Sequence, residues 1–140
     1  MKRAPQLRAL SNEHHQSLVL ARKAKNTGKD GFASVEDTWQ EVDSHYQSVL
    51  KQHFQIEEDF IAKQLTQLGE KEMTYRLFDE HKQLKQLLES EQKTLESLVQ
   101  FGELLEQHVR FEERELFQTA QNKLSEDDLA NILNACSVEA

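Results

Sequence analysis

The sequence predicts an all-α protein that forms a single domain over residues 1–140. Apolar residues recur at helical spacing in four long stretches, which three weak spots separate. Gln, Glu, Leu, Lys and Ala dominate the composition, and only one proline and four glycines interrupt it. Such a composition is typical of long helices rather than of a sheet.

The first two predicted helices are joined by a glycine-containing turn. The first helix ends at "NTGKDG", where Gly28 and Gly31 favour a turn. The second begins after Ser34, a good N-cap residue, and ends at Gly69. The apolar positions are Leu7, Leu10, Leu18 and Ala21 in the first helix, and Trp39, Val42, Tyr46, Val49, Leu50, Ile56, Phe60 and Ile61 in the second. We interpret Trp39 and Tyr46 as core residues.

Two further long helices and a short one complete the chain. The third helix loses its pattern in the polar segment "SEQKT", and the fourth runs toward Lys123. Within "SEDDLANIL", Ser125 is the expected N-cap of a short C-terminal helix. The apolar positions are Met73, Leu77, Phe78, Leu84, Leu87 and Leu88 in the third helix, and Leu98, Phe101, Leu105, Val109, Leu116 and Phe117 in the fourth.

The short motif H-x-x-x-E occurs twice, as His53 with Glu57 and as His108 with Glu112. Residues four apart share one face of a helix, so each copy directs an imidazole and a carboxylate toward the same neighbour. Both copies fall within the apolar face of their helix, where a carboxylate is costly unless it is paired or bound to metal. The repeated motif therefore predicts a metal site.

Chain geometry adds two more histidines to this site. In an up-down-up-down bundle, two ligands at the same depth on consecutive helices have the connecting turn midway between them. The midpoint of His14 and His53 falls just after "GKDG", that of His53 and His81 beside Gly69, and that of His81 and His108 at the edge of "SEQKT". Four imidazoles and two carboxylates at one level predict a dinuclear site, whose nitrogen and oxygen donors suit iron or manganese.

Several residues remain open as ligands. His14 lies nearer the centre of the apolar face of the first helix, whereas His15 has Leu18 three residues on, as His81 has Leu84. His15 is therefore a substitute for His14 or an outer partner of the site. Glu58 and Glu113 fall toward the edges of the apolar faces and are solvated, outer or alternative ligands. His45 lies off the apolar face and is interpreted as a residue of the surface or of the rim of the site.

Composition also argues against several classes of partner. A formal net charge of −8, with basic residues interspersed among acidic ones, disfavours nucleic acid. No apolar run approaches the roughly 20 residues of a membrane span, so we expect a soluble, cytoplasmic protein without a membrane partner. The single cysteine, Cys136, offers neither an internal disulfide nor a cysteine-based zinc site.

The motifs "LSNEHHQSL", "HFQIEED", "DEHKQL" and "HVRFEERELF", in this order and spacing, resemble the hemerythrin-like (HHE cation-binding) family. The resemblance covers nearly the whole chain, from about Leu10 onward. It implies a left-handed up-down four-helix bundle with a non-haem di-iron centre and two bridging carboxylates. The cofactor would be two iron ions, with manganese or zinc as substitutes. The implied metal ligands are His14 (or His15), His53, Glu57, His81, His108 and Glu112.

The chain departs from the oxygen-carrying members of that family. Those proteins have a second histidine one turn before the third-helix ligand, where this chain has Leu77. They also place the fourth-helix carboxylate five residues after its histidine, which here would be Glu113 rather than Glu112. The four-His, two-Glu set is more similar to bacterial di-iron proteins linked to iron-sulfur cluster repair and to eukaryotic iron-sensing hemerythrin domains. A ferritin-like site is excluded, because no histidine here has a glutamate three residues before it.

Three functions follow from these expectations. The first is a module that binds or senses O₂, NO or iron, with Phe60, Leu77, Phe78 and Phe111 as an apolar lining. The second is a di-iron enzyme of NO or peroxide detoxification or of iron-sulfur cluster repair, and the third is a bundle stabilised by metal for a structural or regulatory role. The expected assembly is a monomer or homodimer, served by a redox partner if electrons are needed.

Overall fold

The computed structural model describes residues 2–28 and 34–137, and these ranges contain helices and turns but no strand. A 3₁₀ turn over Pro5–Leu7 leads into α1, Arg8–Asn26. Helix α2 covers residues 35–67, α3 is Lys71–Glu89, α4 covers residues 95–123, and α5 is Glu126–Ser137. The apolar periodicity predicts these four long helices and the short last one. Among the described residues, no helix is long and apolar enough to cross a membrane.

Helices α2 and α4 are continuous but contain wider, π-helical turns. In α2 the segments are Val35–His45, Tyr46–Leu50 (π), Lys51–Ile56, Glu57–Ala62 (π) and Lys63–Gln67. In α4 they are Leu95–Phe111, Glu112–Leu116 (π) and Phe117–Lys123. A π-helical turn spans one residue more than an α-helical turn, and such turns occur often at functional sites.

The helix ends follow the local signals in the sequence. The Ser34 hydroxyl accepts a hydrogen bond from the Asp37 amide at 2.9 Å, and that of Ser125 accepts one from Asp128 at 3.1 Å. Thr94, at the end of "SEQKT", caps α4 in a reciprocal pairing with Ser97. Gly69 adopts a φ of +94°, which L-residues with a side chain rarely adopt, so the turn after α2 favours glycine there. Gly28 also has positive φ, whereas Gly31 lies outside the described residues.

The buried apolar residues form two clusters, each with members from all four long helices. The first, the α5 cluster, includes Leu10, Ile61, Leu65, Leu77, Leu116, Phe117, Leu129 and Ile132. The second, the Trp39 cluster, includes Ala21, Trp39, Val42, Phe54, Leu84, Leu98, Phe101 and Leu105. Helices α1 and α4 approach closely, because a Cβ atom added at Gly102 would lie 2.6 Å from the Ala21 carbonyl oxygen. Along each long helix, the predicted ligands lie where the residues of one cluster give way to those of the other.

Candidate metal centre

Six buried side chains from the four long helices converge between the two apolar clusters. None of the six is more than 3% exposed, and both carboxylates are fully buried. They are His14 from α1, His53 and Glu57 from α2, His81 from α3, and His108 and Glu112 from α4. The fold therefore brings together the six residues that the sequence places at one level.

The six residues form two groups of donors that could each hold a metal ion. One group is His14, His53, Glu57 and Glu112, and the other is Glu57, His81, His108 and Glu112. Within each group, the donor atoms all lie within 4.8 Å of one another. Each group has its own two histidines, whereas both carboxylates belong to both groups.

The two oxygens of each shared carboxylate face different groups. Glu57 directs Oε2 to His53 Nε2 at 2.9 Å and Oε1 to His81 Nε2 at 3.1 Å. Glu112 directs Oε1 to His14 Nε2 at 2.7 Å and Oε2 to His108 Nε2 at 3.2 Å. Each carboxylate thus offers one oxygen to each group, which is the arrangement of a bridging carboxylate.

Each histidine also has an outer carboxylate, and these partners run in order around the bundle. The Nδ1 atoms of His53, His81, His108 and His14 lie 2.9, 2.8, 2.6 and 2.6 Å from oxygens of Glu13, Glu58, Glu80 and Glu113, respectively. Each outer carboxylate comes from the helix that precedes the helix of its histidine in the chain. The exception is His14 of α1, whose partner Glu113 comes from α4, so the four contacts close a ring around the bundle. A carboxylate at Nδ1 orients the ring and leaves Nε2 as the donor for a metal ion.

The π-helical turns begin at the two shared carboxylates and bring neighbouring glutamates to the same level. Glu57 and Glu112 are the first residues of π-helical segments. The next residues, Glu58 and Glu113, reach histidines of adjacent helices, as described above. Consecutive glutamates of one helix therefore provide an inner and an outer carboxylate. Glu58 and Glu113 are partners of Nδ1 atoms in this structure and belong to neither group of donors.

Two arginines hold two of the outer carboxylates in place. Arg3 donates from Nη2 to Glu113 Oε1 at 3.0 Å, and Ser11 donates to the other oxygen at 2.8 Å. Arg76 donates to Glu80 Oε2 at 2.9 Å. The two arginines thereby neutralise the carboxylates that contact the Nδ1 atoms of His14 and His108.

Opposite charges set the electrostatics of the buried centre in the absence of metal. Burial alone would lower the pKa of His108, but the charge of Glu112 and the hydrogen bond to Glu80 raise it to about 10. Burial would also lower the pKa of His53, but the neighbouring glutamates outweigh this effect and raise the pKa well above its usual value. Burial would raise the pKa of Glu112, but His108 and other partners hold it well below its usual value. Glu112 is therefore ionised, and at neutral pH protons occupy ring nitrogens of His53 and His108 that a metal ion would need.

The hydrogen bonding of the centre is incomplete, and this fits a metal ion. Among the described residues, His53 Nε2 lies 2.9 Å from Glu57 Oε2 and His108 Nε2 lies 3.2 Å from Glu112 Oε2, and all four atoms are buried. Neither pair has the geometry of a hydrogen bond, and these four atoms have no other hydrogen-bond partner there. Buried polar atoms without partners are rare in native proteins, because each costs free energy. All four atoms are donors of the two groups, so bound metal ions would satisfy them.

Aromatic rings keep the histidines in dry surroundings. Phe54 stacks on His81 with ring centroids 3.9 Å apart, and Phe117 stacks on His14 at 5.3 Å. Phe78 is 44% exposed and lies in the wall of a surface groove together with His81. The sequence does not predict that Phe54 and Phe117 stack on ligand histidines, because their positions are those of ordinary core residues.

The remaining histidines lie outside the centre. His15 is exposed and belongs to neither group of donors, so His14 takes the α1 position. His45 is partly buried and its Nε2 lies 2.9 Å from the Ser17 hydroxyl. The sequence predicts outer partners only at Glu58, Glu113 and His15, whereas the structure also places Glu13 and Glu80 at ligand histidines. Their signal in the sequence is a glutamate directly before His14 and before His81.

No protein-family model, no curated protein and no solved structure matches this chain. The chemistry of the six buried donors is therefore the ground for assigning a function.

Proposed function

We propose that the protein is a non-haem dinuclear metal protein that carries two iron ions and binds or senses O₂ or NO at them. One observation carries this proposal: two groups of buried donors share both of their carboxylates, with one oxygen of each carboxylate facing each group. A single ion would leave the two histidines of the other group unused. A purely structural role would leave Glu57 Oε2 and Glu112 Oε2 buried beside imidazole nitrogens without a hydrogen bond.

The donor set favours iron. Each ion would have two imidazole nitrogens and two carboxylate oxygens, a mixed set without thiolate that suits iron or manganese. Four protein donors would leave room on each ion for a small ligand, and Leu77 stands where a further histidine would be one turn before His81. When bound, ferrous ions supply electrons to O₂ or bind NO. The chain's own contribution is to orient the imidazoles, to neutralise charge and to exclude water.

We further propose that the chain folds as an up-down four-helix bundle of the hemerythrin-like type. The order of the two apolar clusters along the helices supports this: α1 and α3 pass from the α5 cluster to the Trp39 cluster, and α2 and α4 pass the other way. The motifs around His14, His53, His81 and His108, in the same order as in that family, add to it.

Metal stoichiometry and reactivity test the proposal together. Metal-free protein is titrated with Fe²⁺ without oxygen, the bound iron is counted, and visible spectra are recorded before and after O₂ or NO. We expect two ions per chain and a spectral change with O₂ or NO. His15→Ala is the matched control, because this exposed histidine belongs to neither group and should keep both ions.

Other results would redirect or refute the proposal. Binding of one ion per chain, or of none, would contradict a dinuclear centre. Two ions without any response to O₂ or NO would leave a structural metal site and refute the binding role. Continuous consumption of NO or peroxide with an added electron donor would identify an enzyme instead.

A further inference from the structure

The metal centre is closed to solvent, so a side chain must move before an ion can reach it. The six donor residues are at most 3% exposed. The four outer carboxylates surround these residues, and their side chains are partly exposed. The exposed fraction is 32% for Glu113, 26% for Glu13, 20% for Glu58 and 15% for Glu80. These carboxylates are the last groups between the histidines and the surface.

The outer carboxylates differ in how firmly they are held. Glu113 is bound by Arg3 and Ser11 in addition to His14, and Glu80 is bound by Arg76 in addition to His108. For the side chains of Glu58 and Glu13, the only hydrogen bond among the described residues is the one to a histidine. Moving either of these two side chains breaks one hydrogen bond, whereas moving Glu113 or Glu80 also breaks a contact to arginine.

A surface groove lies over one of the two loosely held carboxylates. It has a volume of about 340 Å³, and its wall contains Glu58 and His81. Phe78, Lys82 and Lys85 of α3 also line it. His81 is only 1% exposed although it lines the groove, and the Glu58 carboxylate is 2.8 Å from its Nδ1 atom. The groove therefore leads to a ligand histidine with Glu58 beside it.

We propose that divalent metal ions enter and leave the centre through this groove, and that Glu58 is the gate that turns away from His81 to let them pass. This inference rests on the proposed metal centre. The carboxylates of Glu58 and Glu89 attract an incoming cation within the groove, and the ammonium groups of Lys82 and Lys85 oppose its approach. Exchange is slow as long as the Glu58 to His81 hydrogen bond holds.

The gate is tested by the kinetics of metal uptake. Metal-free protein is mixed with Co²⁺ in a stopped-flow instrument and the visible absorption of bound Co²⁺ is followed; release is started with excess chelator. Glu58→Ala should speed both uptake and release about tenfold or more, because the loss of the hydrogen bond that closes the groove, one to a charged group, outweighs the loss of one of the two attracting carboxylates. If Glu58 only oriented His81, its removal would speed release but would not speed uptake.

Two outer carboxylates serve as controls for position. Glu80 also contacts a ligand histidine, His108, but it does not line this groove. Glu80→Ala should therefore not speed metal uptake. Glu13→Ala removes the other loosely held carboxylate. Faster uptake in Glu13→Ala together with unchanged uptake in Glu58→Ala would overturn the proposal and place the entry beside α1.

Charge reversal in the groove gives a test that keeps the Glu58 side chain, although Lys85 also acts on its charge. The pair Lys82→Glu with Lys85→Glu should speed Co²⁺ uptake several-fold at low ionic strength, and the effect should vanish at high salt. Lys51→Glu with Lys63→Glu changes the net charge equally on exposed positions of α2 that do not line the groove. Equal acceleration by both pairs would contradict entry through the groove.

The outcomes separate the gate from the metal centre itself. If the unaltered protein binds two ions at equilibrium and Glu58→Ala takes them up no faster, the gate is wrong and the centre stands. If the unaltered protein binds no metal at equilibrium, both proposals fail.

Discussion

The metal-free protein should become less stable as the pH rises above neutrality, and His108 should cause much of the loss. Its pKa in the folded state is about 10, because the effect of burial is outweighed by Glu112 and Glu80. In the unfolded chain the pKa returns to 6.5. Since the folded pKa is the higher one, this stabilisation is fully present below pH 6.5 and is lost as the pH rises toward 10.

The pKa difference sets the scale of the loss. At about 1.4 kcal/mol per pKa unit, a rise from 6.5 to about 10 corresponds to about 5 kcal/mol, of which about 3 kcal/mol is lost between pH 6.5 and pH 9. A loss of this size is a large part of the free energy of unfolding of a small domain, which is about 5–15 kcal/mol. On the acid side the sign reverses. The pKa of Glu112 is held well below its usual value, so its stabilisation is lost as the pH falls below 4.5.

Urea denaturation in the presence of chelator measures this dependence. The free energy of unfolding is determined from far-UV circular dichroism at pH 5.5, 6.5, 8 and 9. His108→Gln, which cannot ionise, should reduce the loss above pH 6.5 and leave the part that the raised pKa values of His53 and His14 cause. His15→Gln, at an exposed position, should retain the full loss. Equal stability of the metal-free protein at pH 6.5 and pH 9, or an unchanged slope in His108→Gln, would refute the ion-paired description of the buried centre.

Three further changes test separate parts of the structure. His14→Ala should lower the metal content below two ions per chain whereas His15→Ala should not, as measured by elemental analysis. Glu80→Ala removes the 2.6 Å contact to His108 and should weaken metal binding by about 10- to 100-fold in chelator competition. Gly102→Ala places a Cβ atom against the backbone of α1 and should reduce the free energy of unfolding by about 1–3 kcal/mol in urea, with no loss of metal.

The sequence predicted the helices and the inner residues of the site because both depend on local spacing. His53 and Glu57 are four residues apart and must share a helix face whatever the tertiary structure. The positions of the turns then fixed the depth of His81 relative to them. The choice between His14 and His15 was harder, because neighbours on a helix differ by only about 100° in direction. The burial of His14 in the structure resolves it.

The outer part of the site depends on tertiary contacts that local spacing does not encode. Glu13 and Glu80 lie at the edge of an apolar face, where a glutamate reads as a solvated residue. Each finds its histidine on a neighbouring helix, at 2.9 Å for Glu13 and 2.6 Å for Glu80. The π-helical turns that begin at Glu57 and Glu112 alter the angular positions of the following residues, and no residue pattern identified them beforehand.

The central claim, that two ions share Glu57 and Glu112, is tested most directly by the magnetism of the oxidised, iron-loaded protein. Mössbauer and electron paramagnetic resonance spectra are recorded on a sample with two ferric ions per chain. Carboxylate-bridged ions should couple antiferromagnetically, so we expect a diamagnetic ground state without a paramagnetic resonance signal. Glu57→Ala should weaken the coupling, because it removes one of the two shared carboxylates. The strong resonance signal of isolated high-spin ferric ions in the unaltered protein would contradict the claim.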